Sequence, residues 1–274
     1  MGNNTFRRVS TEAEEIASDA NARRAACTDA VVNTAHVIYT NGDPNELRTA
    51  YGDVEAYMRS CMNDSAHDVD HIYRVLNYAL DIAGHEEGAD VDLLVVACLL
   101  HDIGRAEQLA DPAVDHARAG ADKACAWLIE KGYSDEFAQK AGDCVRTHRY
   151  RSGSPPVSLE AKILFDADKL EACGVIGIAR TLQYKAHTAE PLYAMTGSGQ
   201  VSDGSGDGEQ SFLREYKFKL ENVYDKFYTR RGYELAAKRK QAAVHFYNAI
   251  LSELRECYGL NKNVPNSEEP DISQ

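Results

Sequence analysis

Three separated segments of this chain offer imidazole and carboxylate side chains in patterns able to hold a charged group. The pair His101-Asp102 ends the apolar run Leu93 to Leu100, so two metal-competent side chains emerge from a stretch that must be buried on most sides. Upstream, His67, His71 and Arg74 stand at i, i+4 and i+7 and share one helix face. Downstream, Asp166 and Asp168 flank Ala167 before Lys169. Histidine and aspartate without thiolates suit a borderline or hard divalent cation (Mn²⁺, Mg²⁺, Fe²⁺, Ni²⁺ or Zn²⁺) better than a structural zinc site. An ion with open positions can acidify bound water and polarise a phosphoryl oxygen, so hydrolysis of a phosphate ester or anhydride is the natural chemistry. The competing reading is structural, since buried His and Asp also cap helices and satisfy core hydrogen bonds.

The elements that must position these groups read as helices. Val69, Ile72, Val75, Leu76, Ala79, Leu80 and Ala83 recur at steps of three and four, and period-two alternation is scarce. Asp64 or Ser65 can cap the helix carrying His71, Gly84 follows its end, and Asp90 precedes the run from Val91 to His101. Further helices are predicted at about 115–131, 135–148, 158–172, 174–188, 211–228 and 233–257. The fold class is all-α. Residues 1–60 read as an N-terminal extension of one or two helices, 61–258 as the core, and 259–274 as a disordered tail containing Pro265 and Pro270. The Gly- and Ser-rich stretch 195–210 reads as a mobile loop, either a lid or a solvated connector. His36, His85, His187 and His245 lack polar companions of the right kind and read as structural or surface residues.

Thirty Lys and Arg against forty-three Asp and Glu give a net charge of −13, which argues against nucleic-acid polymers and anionic membranes as partners. Seven cysteines (27, 61, 98, 125, 144, 173 and 257) form no C-x-x-C pair and several fall in apolar periodic stretches, as free thiols in a reducing cytoplasm do. No run of eighteen apolar residues and no signal-peptide core is present, so a cytoplasmic location is expected. Met1-Gly2 opens like a myristoylation site, but Phe6 stands where Ser or Thr is required.

The segments His71-Ile72-Tyr73-Arg74-Val75, Leu99-Leu100-His101-Asp102-Ile103-Gly104 and Asp166-Ala167-Asp168-Lys169-Leu170-Glu171 together resemble the HD superfamily of metal-dependent phosphohydrolases, whose signature has the order H…HD…D. His148-Arg149-Tyr150-Arg151, the stretch Glu160 to Glu171 with the following Gly174, Gly177 and Ala179-Arg180, and Tyr228 to Tyr233 are similar to the bacterial YedJ/YpgQ-like branch. The resemblance covers about residues 60–258. It implies an HD-domain helical bundle with additional N-terminal and C-terminal helices. It also implies metal ligands at His71, His101, Asp102 and Asp168, with His67 and Asp166 as rivals. His67 becomes a candidate proton donor to the leaving oxygen, so His67, Asp102 and Lys169 form the catalytic set. Arg74, Arg105, His116, His148 and Arg149 are expected around substrate phosphates, although His116 and His148 stand where some two-metal members complete a second site.

The activity implied is cleavage of a small phosphorylated molecule, a nucleotide foremost, with nucleoside triphosphate pyrophosphohydrolysis as the narrower form. Arg105 stands where some nucleotidases of the superfamily carry an acid, and the Gly-Tyr-Pro signature of cyclic-dinucleotide phosphodiesterases is missing. The alternative is a regulatory module that holds metal and nucleotide with little turnover; paired-iron oxygenase chemistry is a third reading. A homo-oligomer stays open.

Overall fold

The computed structural model describes residues 44–62, 69–149 and 154–259, the side chains of 44–50 excepted. The expected helices before residue 44, the Asp64 or Ser65 cap, His67 and the tail from 260 lie outside the described residues. Regular structure among the described residues is helical, apart from one antiparallel bridge between Met195 and Val201. The chain forms two compact units that meet in sequence at Asp168 and Lys169.

The first unit holds α1 (Pro44–Cys61), α2 (Val69–Ala83), α3 (Val91–Leu100), α4 (Arg105–Ala110), α5 (His116–Glu130), α6 (Asp135–Thr147) and α7 (Leu159–Leu170, up to Asp168), with α3 at its centre. The reason is compositional: every residue from Leu93 to Leu100 is buried, so α3 must be covered, and it packs on α1, α2, α5 and α6. Its start is set by Asp90, whose carboxylate accepts from Leu93 N–H while Asp90 N–H donates to Glu160 of α7. The periodic positions of α2 are buried as predicted, including Ile72, Val75, Leu76 and Ala79. Asp115 caps α5 through Ala117 and Arg118, and Ser134 caps α6 through Phe137. These two helices share the most extensive helix contact among the described residues. Ala121 and Ala124 on one and Ala138 and Ala141 on the other are fully buried, and small side chains permit close approach. α1 kinks at Tyr51, whose hydroxyl pairs with Asp92 at the start of α3. Further along, Tyr57 stacks on Trp127 of α5 with ring centroids 4.5 Å apart, and Lys131 lies over the indole at 5.8 Å.

The second unit holds α8 (Gly174–His187), α9 (Phe212–Phe218), a 3₁₀ turn (Leu220–Asn222) and α10 (Arg230–Cys257), with α10 against α8. Two expectations change here. The single helix predicted over 211–228 breaks at Lys219 (φ −119°, ψ −60°); the turn beyond it buries Leu220, Val223 and Tyr224, and the Tyr224 hydroxyl accepts from Gly174 N–H. The segment expected as a mobile loop is tied down at several points. Val201, Ser202 and Gly204 are buried, Tyr247 of α10 donates to the Asp203 carbonyl at 2.6 Å, and Arg214 Nε donates to that of Asp207 at 2.8 Å.

Candidate metal centre

The turn that follows α3 carries the centre of the site. His101 is the C-cap of α3 in helical conformation, and its ring folds back so that Nδ1 donates to the Cys98 carbonyl at 2.7 Å. That bond fixes the proton on Nδ1 and leaves the Nε2 lone pair facing inward. His148, the C-cap of α6, repeats the device, with Nδ1 donating to the Val145 carbonyl at 2.6 Å. His116 opens α5 behind its Asp115 cap. Asp102 continues past His101, followed by Gly104, where a Cβ would fall 2.2 Å from the His116 carbonyl oxygen and 2.5 Å from Gly120 N. The Asp102 turn can therefore sit against the start of α5 only because residue 104 has no side chain.

Two groups of ligand atoms result, each within 4.8 Å of one another: His71, His101 and Asp168 in one, Asp102, His116 and His148 in the other. In the first, His71 Nε2 lies 3.3 Å from Asp168 Oδ1 and 3.4 Å from His101 Nε2. Asp102 joins the two groups. Its Oδ2 is 3.7 Å from Nε2 of both His71 and His101, and its Oδ1 is 3.5 Å from Nε2 of both His116 and His148. Asp102 Oδ1, His116 Nε2 and His148 Nε2 are all buried without a hydrogen-bond partner. Arg105 Nε stands 2.9 Å from Asp102 Oδ1 and compensates its charge, but is not aligned for a hydrogen bond.

Burial acts against charge throughout the cluster. It pushes the His101 imidazole down to about 4, helped by His148 and His71 and opposed by Asp102 and Asp168. Burial, then the Arg105 guanidinium, takes His116 down to about 3. For Asp102 burial works in the other direction, but Arg105 and the surrounding imidazoles outweigh it and hold the carboxyl well below its usual range. Asp168 is likewise held low: burial would raise it, and its hydrogen bond with His71 prevails. Neutral imidazoles and ionised carboxylates are the ligand forms a divalent cation needs, and converging lone pairs without a donor are what it would satisfy. The residues fit the group.

The expected residues His71, His101, Asp102 and Asp168 are thus brought together. Asp166, the rival of Asp168, is fully buried two residues earlier on α7, about 200° round the helix. Arg105 and Arg149 reach the second group, Arg149 Nη1 lying 3.0 Å from His116 Nδ1. Arg74 is half-buried on α2. Lys169, expected in the catalytic set, donates from Nζ to the Lys226 carbonyl at 3.0 Å and lies over the Phe227 ring. Gln108 is the residue that sequence reasoning missed. Its Oε1 sits 2.6 Å from His116 Nδ1, and nothing in a glutamine on a short helix with no buried residues announces that contact.

The HD domain family model matches residues 68–173, a span containing both groups. Over those residues the chain is similar to the HD domain family. The uncharacterised protein YpgQ of Bacillus subtilis is 27% identical over 207 residues, which is 73% of this chain and 92% of the relative. The crystal structure of a predicted HD superfamily hydrolase from an uncultured Thermotogales bacterium aligns at TM-score 0.53 and 28% identity, covering 77% of this chain and 98% of that one. Bacillus subtilis YpgQ in complex with ADP aligns at TM-score 0.56 and 24% identity, covering 74% and 97%. The HD domain match and the hydrolase neighbour support a metal-dependent phosphohydrolase, and the His/Asp cluster is one that could hold a metal. No helix among the described residues is long and apolar enough to cross a membrane.

Proposed function

We propose that the protein hydrolyses a phosphate ester or anhydride of a small phosphorylated substrate, a nucleotide, using two divalent ions that share Asp102. The observation that carries this reading is the trio Asp102 Oδ1, His116 Nε2 and His148 Nε2, buried atoms that make no hydrogen bond, with each ring nitrogen 3.5 Å from the carboxylate oxygen. Arg105 offsets the Asp102 charge, but a single-ion site would leave both imidazole nitrogens buried and unpaired. When bound, the ions supply acidified water and polarise the phosphoryl oxygens. His71, His101 and Asp168 would hold the first ion and His116 and His148 the second, with Asp102 offering one carboxylate oxygen to each.

Arg105 and Arg149 supply positive charge for the phosphate oxygens while water bonds to phosphorus and the leaving oxygen departs. In a chain of net charge −13 such local cations are what would let a polyanionic substrate approach. The ADP complex of YpgQ supports a nucleotide, and nucleoside triphosphate pyrophosphohydrolysis is the narrower form of the proposal. His67 is the proposed proton donor to the leaving group.

The test is to incubate metal-stripped protein with Mn²⁺, Mg²⁺, Ni²⁺ or Fe²⁺ and a panel of nucleotides and phosphomonoesters, reading phosphate and pyrophosphate separately, with Asp102→Ala as control. Metal-dependent release that the control lacks is expected. Binding of metal and nucleotide with no turnover across the panel would replace this reading with a regulatory module.

A further inference from the structure

Two side chains claim the same nitrogen of His116. Gln108 Oε1 lies 2.6 Å from Nδ1 and can only accept, so that contact requires the proton on Nδ1. Arg149 Nη1 lies 3.0 Å from the same Nδ1 and can only donate, so that contact requires a lone pair there. A neutral imidazole cannot satisfy both. With Gln108 engaged, the proton is on Nδ1 and Nε2 turns a lone pair toward Asp102 Oδ1, 3.5 Å away. With Arg149 engaged, the proton moves to Nε2 and points at that same carboxylate oxygen, occupying the direction a cation would need.

His101 and His148 have no such choice, because backbone carbonyls of Cys98 and Val145 accept from their Nδ1 atoms and a carbonyl cannot donate. Within the described residues, His116 is the ligand of the second group whose tautomer depends on side chains. We propose that Gln108 is a positioning residue that selects the metal-binding tautomer of His116, that Arg149 opposes it, and that their competition sets the affinity of the second position for a divalent cation. This inference rests on the two-ion reading above. Outer partners that fix the tautomer of a ligating histidine commonly change metal affinity by about 10- to 100-fold, which is the scale expected here.

The experiment titrates Mn²⁺ into the metal-stripped full chain without substrate, following heat and the electron paramagnetic resonance of free Mn²⁺. Wild type, Gln108→Leu, Gln108→Glu and Arg149→Gln are compared, with nitrogen-15 shifts of the His116 ring recorded in the metal-free proteins. Expected are two ions in wild type and a second ion weakened about 10-fold or more in Gln108→Leu. The first ion should be unchanged, Gln108→Glu should restore the second because a carboxylate also accepts, and Arg149→Gln should tighten it. The His116 shifts should move toward the Nε2-protonated form in Gln108→Leu and away from it in Arg149→Gln. If Gln108→Leu failed to fold, Gln108→Glu, Arg149→Gln and the nitrogen shifts would still decide. Two ions with a second affinity that none of these variants alters would overturn the inference and leave the two-ion reading standing. One ion in wild type, indifferent to His116→Ala, would overturn both.

Discussion

Gly104 packs backbone to backbone on Gly120: a Cβ on Gly104 would lie 2.5 Å from Gly120 N, too close to be accommodated, and one on Gly120 would lie a tight 3.2 Å from Gly104 N. The glycine of the signature is therefore a packing requirement of the metal centre, because it seats the Asp102 turn on the helix that begins with His116. Gly104→Ala forces backbone apart and should lower unfolding free energy by about 3 kcal/mol. It should also weaken metal binding at the Asp102, His116 and His148 group. Denaturant midpoints of metal-free wild type and variant, read with Mn²⁺ titrations, check both; an unshifted midpoint would refute the packing account.

Asp102 faces both groups, Oδ1 toward His116 and His148 and Oδ2 toward His71 and His101, so in the two-ion reading its removal should differ in kind from removal of the others. Asp102→Ala should abolish binding of both ions, whereas Asp168→Ala should weaken the first by more than about 100-fold while leaving the second position's protein ligands intact. Metal content after equilibrium dialysis separates these outcomes. Equal losses in the two variants would show that Asp102 is not shared.

Two imidazoles that stay neutral impose a pH dependence on the metal-free protein. His101 and His116 titrate at about 4 and about 3 in the folded chain against 6.5 in the unfolded one, so below about pH 6.5 the unfolded state binds more protons. Stability should be flat between pH 7 and about 8, fall as pH drops from 6.5 toward 4, and lose up to about 3 kcal/mol through His101 alone. Thermal midpoints of metal-stripped protein between pH 4.5 and 8 should decline only on the acid side of this window, and a flat profile would contradict the burial of neutral rings.

The buried thiols predict the opposite limb. Burial raises Cys144 and Cys173 to about 12 from 9.0 and pushes Cys98 well up, so the stability they carry is complete below pH 9 and is lost as pH rises toward 12. The same burial makes them poor nucleophiles. Titration with a disulfide reagent at pH 8 should modify exposed Cys257 quickly and reach Cys98, Cys144 and Cys173 only on addition of denaturant.

Much of this architecture was legible in the residues. The α3 run is apolar at eight consecutive positions and can only be a covered helix, and the starts expected after Asp90 and at about 115 and 135 are reproduced within a residue or so. Type and company pointed to the three His- and Asp-bearing segments, and the resemblance to the HD superfamily chose His71, His101, Asp102 and Asp168 over His67 and Asp166. What stayed hidden was tertiary. No local pattern distinguishes α4, whose six residues bury nothing, and the break at Lys219 arises from the burial of Tyr224 against Gly174 N–H rather than from a breaker residue. The convergence of His116 and His148 on a single oxygen of Asp102 joins positions 14 and 46 residues distant, so the residues were nameable in advance but their meeting point was not.

The stacking of Tyr57 on Trp127 also has a practical consequence. Trp127 is the chain's only tryptophan, and its ring is sandwiched between a residue of α1 and the Lys131 ammonium of its own helix. Because Tyr57 of α1 stacks on it, its emission is an intrinsic optical gauge of whether α1 is seated on α5. A change in tryptophan fluorescence that precedes the loss of helical circular dichroism on heating would mark α1 as the first element to peel away, and coincident curves would make it part of one cooperative unit.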